Sequence, residues 1–121
     1  MKFTFGILNP MNDTLKKEIK KTLARALADF KKENEAFEFL ESFLTPQEFE
    51  TLAKRLSVAY WLSKKRSYEN IKTNLKVSSA TIAEAGNLLK KKSVVSAIKR
   101  IEADAWAEKW SKKIASLTPK L

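Results

Sequence analysis

Apolar residues return every three or four positions along most of this chain. Leu15, Ile19, Leu23, Leu27 and Phe30 form one such row, and Phe49, Leu52, Leu56, Ala59, Tyr60 and Leu62 a second. Val94, Ile98, Ile101, Ala105, Trp106, Ile114 and Leu117 form a third. This is the period of amphipathic helices; a half-buried strand would alternate every second residue. Little interrupts the helices, since the 121 residues include only two glycines and three prolines. The sequence therefore predicts an all-α fold in a single helical domain spanning residues 1–121. A chain this short, divided among several helices, gains from a partner that completes its core.

The boundaries are local and chemical. Residues 1–12 read as an N-terminal arm closing with Asn9-Pro10-Met11-Asn12. Asp13 or Thr14 can cap a first helix reaching about Lys32. A short helix near Glu35 to Phe43 carries Phe37, Phe39, Leu40 and Phe43; so many aromatics on so short a piece call for burial, between subunits included. Leu44-Thr45-Pro46-Gln47-Glu48 is the sharpest boundary in the chain. Thr45 suits an N-cap, Pro46 suits the first helical position where a missing N–H is harmless, and Glu48 completes a capping box. The third helix runs to about Lys64, where Lys64-Lys65-Arg66 meets the negative end of its dipole. Two short helices follow at about 67–75 and 79–91, then a C-terminal helix over about 93–117 within a final segment 93–121.

Composition removes several chemistries. With no cysteine and no histidine, disulfides, the usual zinc sites and Cys–His or Ser–His nucleophilic pairs are out of reach. No convergent catalytic set appears, so the chain reads as a non-enzyme without a metal. The apolar stretch at Met1–Leu8 is too short for a signal peptide, and no run approaches the ~18 residues of a membrane span. A cytoplasmic protein with no membrane partner is expected. The net charge is +10, and it is concentrated: Lys54 to Arg100 holds twelve of the 24 basic residues but only two of the 14 acidic ones, Glu69 and Glu84. A phosphate backbone is a natural partner for such a patch, because each neutralised phosphate releases counterions. A solvated basic face serving solubility is the plainer alternative.

The window Tyr68 to Asn87 sharpens this. Ile71 and Leu75 lie one helical turn apart, as do Ile82 and Ala85, and Val77 sits between the two pairs where it can plug an angle. Two short helices joined at a steep angle by a few residues make a helix-turn-helix. Ser78 or Ser79 can cap the second helix. Ser78, Ser79, Ala80 and Thr81 then occupy its first turn, where short side chains let the backbone approach base edges. There Thr81 can hydrogen-bond a base, and Ala80 can touch a thymine methyl. Lys72, Lys76 and Lys90 are placed to grip phosphates. Two ordinary bundle helices would satisfy the same apolar spacing.

Leu44-Thr45-Pro46, Glu48, Glu50, Leu52 and Arg55, followed by Ile71-Lys72, Leu75, Ala80-Thr81-Ile82, Asn87 and Leu89-Lys90, resemble the bacterial Trp repressor family over residues 44–92. The resemblance implies a Trp-repressor-like, intertwined homodimer binding double-stranded DNA as a transcription regulator, with 13–66 as dimerisation helices and 67–92 as the helix-turn-helix. It implies that Lys72, Ser79, Ala80, Thr81, Ala83 and Lys90 face DNA. Ser79 stands where the tryptophan-responsive type has isoleucine and Ala83 where it has threonine, which leaves room for a different operator. Lys76 replaces a turn glycine, and a left-handed backbone would strain it by ~1 kcal/mol or more, which points to a reshaped turn.

The ligand region implied by the resemblance is Thr45, Arg55 and Glu84. Tryptophan-responsive relatives use two arginines there. Arg55 matches one, but Glu84 takes the place of the arginine that holds the ligand's carboxylate. A carboxylate facing a carboxylate at 4 Å costs on the order of 1–4 kcal/mol, which argues against L-tryptophan as a corepressor. Another small ligand, a cationic one included, or a simple Arg55–Glu84 ion pair, or no ligand at all, remain as readings, and the ion pair is preferred. Trp61, Trp106 and Trp110 read as packing residues rather than base-stacking platforms. The functional alternatives are a helical protein–protein adaptor, or an RNA-binding protein, using the basic 54–100 stretch.

Overall fold

A computed structural model describes residues 11–117. The expected arm, apart from Met11 and Asn12, and the last four residues of the C-terminal segment lie outside the described residues. Within them are six helices and no strand: α1 Asp13–Ala28, α2 Glu33–Phe43, α3 Pro46–Ser63, α4 Tyr68–Leu75, α5 Ser79–Leu88 and α6 Lys92–Leu117. Contacts group the described residues into two compact units that divide between Phe49 and Glu50.

In the first unit, α1 is capped one residue earlier than expected. The Asn12 carboxamide oxygen accepts from the N–H groups of Thr14 at 2.8 Å and Leu15 at 3.4 Å. Neither Asp13 nor Thr14 is the cap; Asp13 instead places its charge in the first turn, at the positive end of the dipole. The helix ends at Ala28, short of Lys32. Beyond its end, Phe30 lies against Phe39 with ring centroids 5.3 Å apart. Phe39 also stacks on Phe43 at 5.1 Å, and Phe37 meets Phe49 at 5.5 Å. The aromatic cluster is therefore local, yet neither α1 nor α2 contains a buried residue. Leu15, Ile19, Leu23 and Leu27, one helical turn apart in succession, remain between 42% and 52% exposed in the single chain.

The capping box forms as the sequence dictates. Thr45 Oγ1 accepts from the Glu48 N–H at 3.1 Å, and Glu48 Oε1 accepts from the Thr45 N–H at 2.8 Å. These bonds hold the Glu48 carboxyl below its ordinary value, the Thr45 backbone bond contributing most.

In the second unit the core is Val58 and Ala59 of α3, Ile71 of α4, Ile82 and Ala85 of α5 and Ile98 of α6. Tyr60, Trp61, Leu62, Leu75, Val77, Leu89 and Val94 pack around it. The α3 row read from the sequence needs correction. Leu52 and Leu56 are exposed, while Val58, absent from that row, is fully buried. At about 100° per residue, Val58, Ala59 and Leu62 share one face, and Leu52 and Leu56 lie on the neighbouring one. The helix carries two apolar faces, and one serves the core of this unit.

α3 ends in a Schellman motif without glycine. Lys65 adopts φ +63°. Its N–H donates to Leu62 O at 2.9 Å, and the Arg66 N–H donates to Trp61 O at 3.2 Å. Hydrophobic contact usually closes such a motif. Here the Arg66 guanidinium stacks on the Trp61 ring, 4.0 Å from its centroid.

Candidate DNA interface and the adjoining cavity

α4 and α5 are set by their caps. Ser67 Oγ accepts from the Asn70 N–H at 3.1 Å, and Ser78 Oγ accepts from the Thr81 N–H at 3.1 Å. Of the two serines the sequence offered for α5, Ser78 is therefore the cap, and Ser79 opens the helix. The Ser78 hydroxyl also lies 3.0 Å from Thr81 Oγ1. Between the two helices, Lys76 sits at φ +55°, ψ +51°, its N–H donating to Lys72 O at 3.0 Å. The turn is not reshaped: it keeps the left-handed geometry and places a lysine in it. Val77 packs against the core as expected of a plug.

This frame fixes which face of α5 looks outward. Ile82 and Ala85 are buried beneath it. Ser79, Ala80 and Ala83 fall within an arc of about 100° on the opposite side and are exposed. Thr81 is half-buried, between the two faces. Lys72 on α4 and Lys90 just beyond α5 are exposed. The residues singled out in the sequence thus divide: Ser79, Ala80 and Ala83 present a small, uncharged tip, Thr81 stands at its edge, and Ser78 is committed to the cap.

The basic excess is largely uncompensated. Among the described residues, Lys54 pairs with Glu50 at 3.2 Å, and Lys64 pairs with Glu102. The hydrogen bond to Glu102 raises the Lys64 pKa above its ordinary value. Lys72, Lys76, Lys90, Lys91 and Lys92 have no carboxylate partner within ion-pair distance among the described residues.

Beside the exposed face of α5 opens a cavity of about 560 Å3, lined by residues of α3, the turn and α5. Arg55 and Glu84 both line it, but no ion pair joins them among the described residues. The preferred pairing of the sequence reading is therefore not made. Thr45, in the first unit, spends its hydroxyl on the α3 cap. Thr51, Lys54 and Lys76 line the cavity, and the sequence reading had not placed them there. A signal existed: Thr51, Arg55, Val58 and Leu62 follow at four-, three- and four-residue steps, so the core face of α3 continues toward its N-terminus as polar side chains. No His, Cys, Asp or Glu cluster among the described residues could hold a metal, and no helix among them is long and apolar enough to cross a membrane.

An all-helical domain with a helix-turn-helix, a small exposed tip on its second helix and unpaired lysines beside it belongs with DNA-binding regulators. A family profile described as Trp repressor protein matches residues 18–100, and the chain belongs to that family. No curated protein and no solved structure matches it.

Proposed function

We propose that this chain is a sequence-specific transcription repressor that reads the DNA major groove with α5 and acts as an intertwined homodimer without responding to tryptophan. The exposed Ser79-Ala80-Ala83 tip, edged by Thr81 and flanked by unpaired Lys72 and Lys90, carries the reading. Small side chains at the tip let the helix enter the groove, and the lysines fix its register on the phosphates. In a dimer, two such helices would reach successive grooves about 34 Å apart.

Leu15, Ile19, Leu23 and Leu27 in the first unit, and Leu52 and Leu56 in the second, support the dimer. Each leaves roughly half of its surface in water, and covering it contributes roughly 1 kcal/mol per side chain. Glu84, unpaired and facing the cavity, supports the loss of tryptophan sensing.

Gel-shift titrations across salt test the function. Lys72→Ala and Lys90→Ala should each lower the salt slope by about 1.8 for any DNA, about 0.9 for each of the two copies in a dimer. Thr81→Ala should weaken discrimination between sites, and added tryptophan should leave the titrations unchanged. Unaltered slopes for both lysine variants would sink the proposed docking. Sedimentation of Leu23→Asp should report a monomer where the parent is a dimer.

A further inference from the structure

The second half of α6 lies past the end of the family match at residue 100. Ile98 is the last buried residue of the helix among those described, and every described side chain from Ala103 to Leu117 is exposed. Helices in folded proteins draw most of their stability from packing an apolar face. This stretch has such a face. At about 100° per residue, Ala103, Trp106, Ala107, Ile114 and Leu117 fall within an arc of about 100°. In the single chain Trp106 is 64% exposed, Ile114 59% and Leu117 73%. Charge along the same stretch is divided lengthwise. Glu102, Asp104 and Glu108 come first, and Lys109, Lys112 and Lys113 follow. The helix dipole favours cations only near the last turn, so it accounts for neither the acidic block in mid-helix nor Lys109. Glu102 pairs with Lys64, and Glu108 with Lys112 at 3.3 Å, but these side chains stay between 39% and 77% exposed. The two blocks balance, so the strip suits neither DNA nor an anionic membrane. A strip that reverses sign along its axis is complementary to a copy of itself running the other way.

We propose that residues 103–117 of α6 pair antiparallel with the same residues of a second copy of this chain. Centred on residue 110, this register sets Trp106 level with the partner's Ile114, Ala103 with the partner's Leu117 and Glu108 with the partner's Lys112. Each large apolar side chain then meets a smaller one, and each acidic block lies beside a basic one. A parallel pair would set like charges side by side. The inference rests on the homodimer proposed above. The largest of the five side chains, Trp106, offers on the order of 150 Å2. Together they do not reach the about 800 Å2 per partner of a standard interface, so the tails tighten a dimer held elsewhere.

The chain has no cysteine, so introduced thiols report contacts without background. Ala103→Cys, Leu117→Cys and the double variant are made in the full chain, checked for parental helix content by circular dichroism, and oxidised. Within one chain the two sites lie about 21 Å apart along the axis, far beyond the reach of a disulfide. Only the double variant should yield a covalent dimer in quantity. Cross-linking of each single variant to itself would mean a parallel pair and overturn the proposal. No cross-link in any of the three, while sedimentation shows a dimer, would also refute it and leave the dimer proposed above standing without the tails. If the parent sediments as a monomer, that dimer falls, and cross-linking of the double variant at high concentration still decides the pairing. Charge gives a second readout. The variant Lys109→Glu, Lys112→Glu, Lys113→Glu and the variant Asp104→Lys, Glu108→Lys should each self-associate roughly tenfold more weakly at low salt, and mixing the two should restore association. Loss without rescue in the mixture would count against antiparallel pairing.

Discussion

Replacing Lys65 by glycine should make the protein more stable, although it removes a charge and shortens a side chain. Lys65 occupies the left-handed position of the Schellman motif that closes α3, at φ +63°. An L-residue there costs roughly 1–2 kcal/mol relative to its preferred regions. Glycine removes that cost but enlarges the entropy of the unfolded chain, by roughly 0.4–1 kcal/mol. The motif itself survives, since its two bonds use backbone atoms and its closing contact uses Arg66 on Trp61. The Lys65 side chain is exposed and enters no ion pair among the described residues, so little is lost with it. The balance is a gain of about 0.5–1 kcal/mol, or roughly 2–6 °C in Tm. Urea and thermal unfolding followed by helical circular dichroism would measure it, at one fixed chain concentration because association shifts apparent stability. Lys65→Ala provides the internal comparison: it removes the same side chain but keeps the Cβ, so it should leave stability nearly unchanged. Equal effects from alanine and glycine would show that the left-handed backbone carries no strain, and the reasoning would fail.

Gly86 lies inside α5, and a Cβ there would meet Leu62 Cδ1 at 3.9 Å, an ordinary contact. Gly86→Ala should therefore add about 1 kcal/mol of stability from helix propensity, read as a raised urea midpoint with unchanged m. Ile71 is fully buried between α4 and the core. Ile71→Ala should cost roughly 2–5 kcal/mol, and exchange of the α4 and α5 amides with solvent should accelerate together. Glu48, whose pKa is lowered in the folded chain, stabilises the α3 cap above its ordinary value of 4.5. That contribution is lost as pH falls through the lower folded value, and in Glu48→Gln the pH dependence of the cap should vanish, as read from the Thr45 and Glu48 amide shifts between pH 6 and pH 2.

The sequence was most legible where structure depends on adjacent residues. The Thr45-Pro46-Gln47-Glu48 box could be read directly, because each of its bonds spans three residues. The pairs Ile71–Leu75 and Ile82–Ala85 located α4 and α5 for the same reason. Reading failed where a choice lay between near-equivalent neighbours or between faces. Asn12, Asp13 and Thr14 are all good caps, and only geometry selects Asn12. On α3 the leucines at 52 and 56 outweighed Val58 in apparent hydrophobicity, yet Val58 lies on the face that meets α4 and α5. A reshaped turn at Lys76 was expected from strain alone, and the packing of Val77 and Leu75 holds the left-handed form despite it. The wall of the cavity was half legible: Arg55 and Glu84 were singled out, but Lys54 and Lys76 reach it only through the fold.

The Ser78 cap and the Thr81 hydroxyl have a joint consequence for the base reading proposed for α5. Ser78 Oγ already accepts the Thr81 N–H, and the two hydroxyl oxygens stand 3.0 Å apart, so one hydroxyl proton lies between them. If Thr81 supplies that proton, its oxygen is left as an acceptor and suits the amino group of adenine or cytosine. If Ser78 supplies it, Thr81 keeps a proton to offer a thymine or guanine carbonyl. The polarity of the tip is thus set by a residue whose evident task is to start the helix. Ser78→Ala would take away that partner, leaving Thr81 free to present either polarity, so under the proposed docking a change at the cap should register as altered base preference as well as a less stable helix.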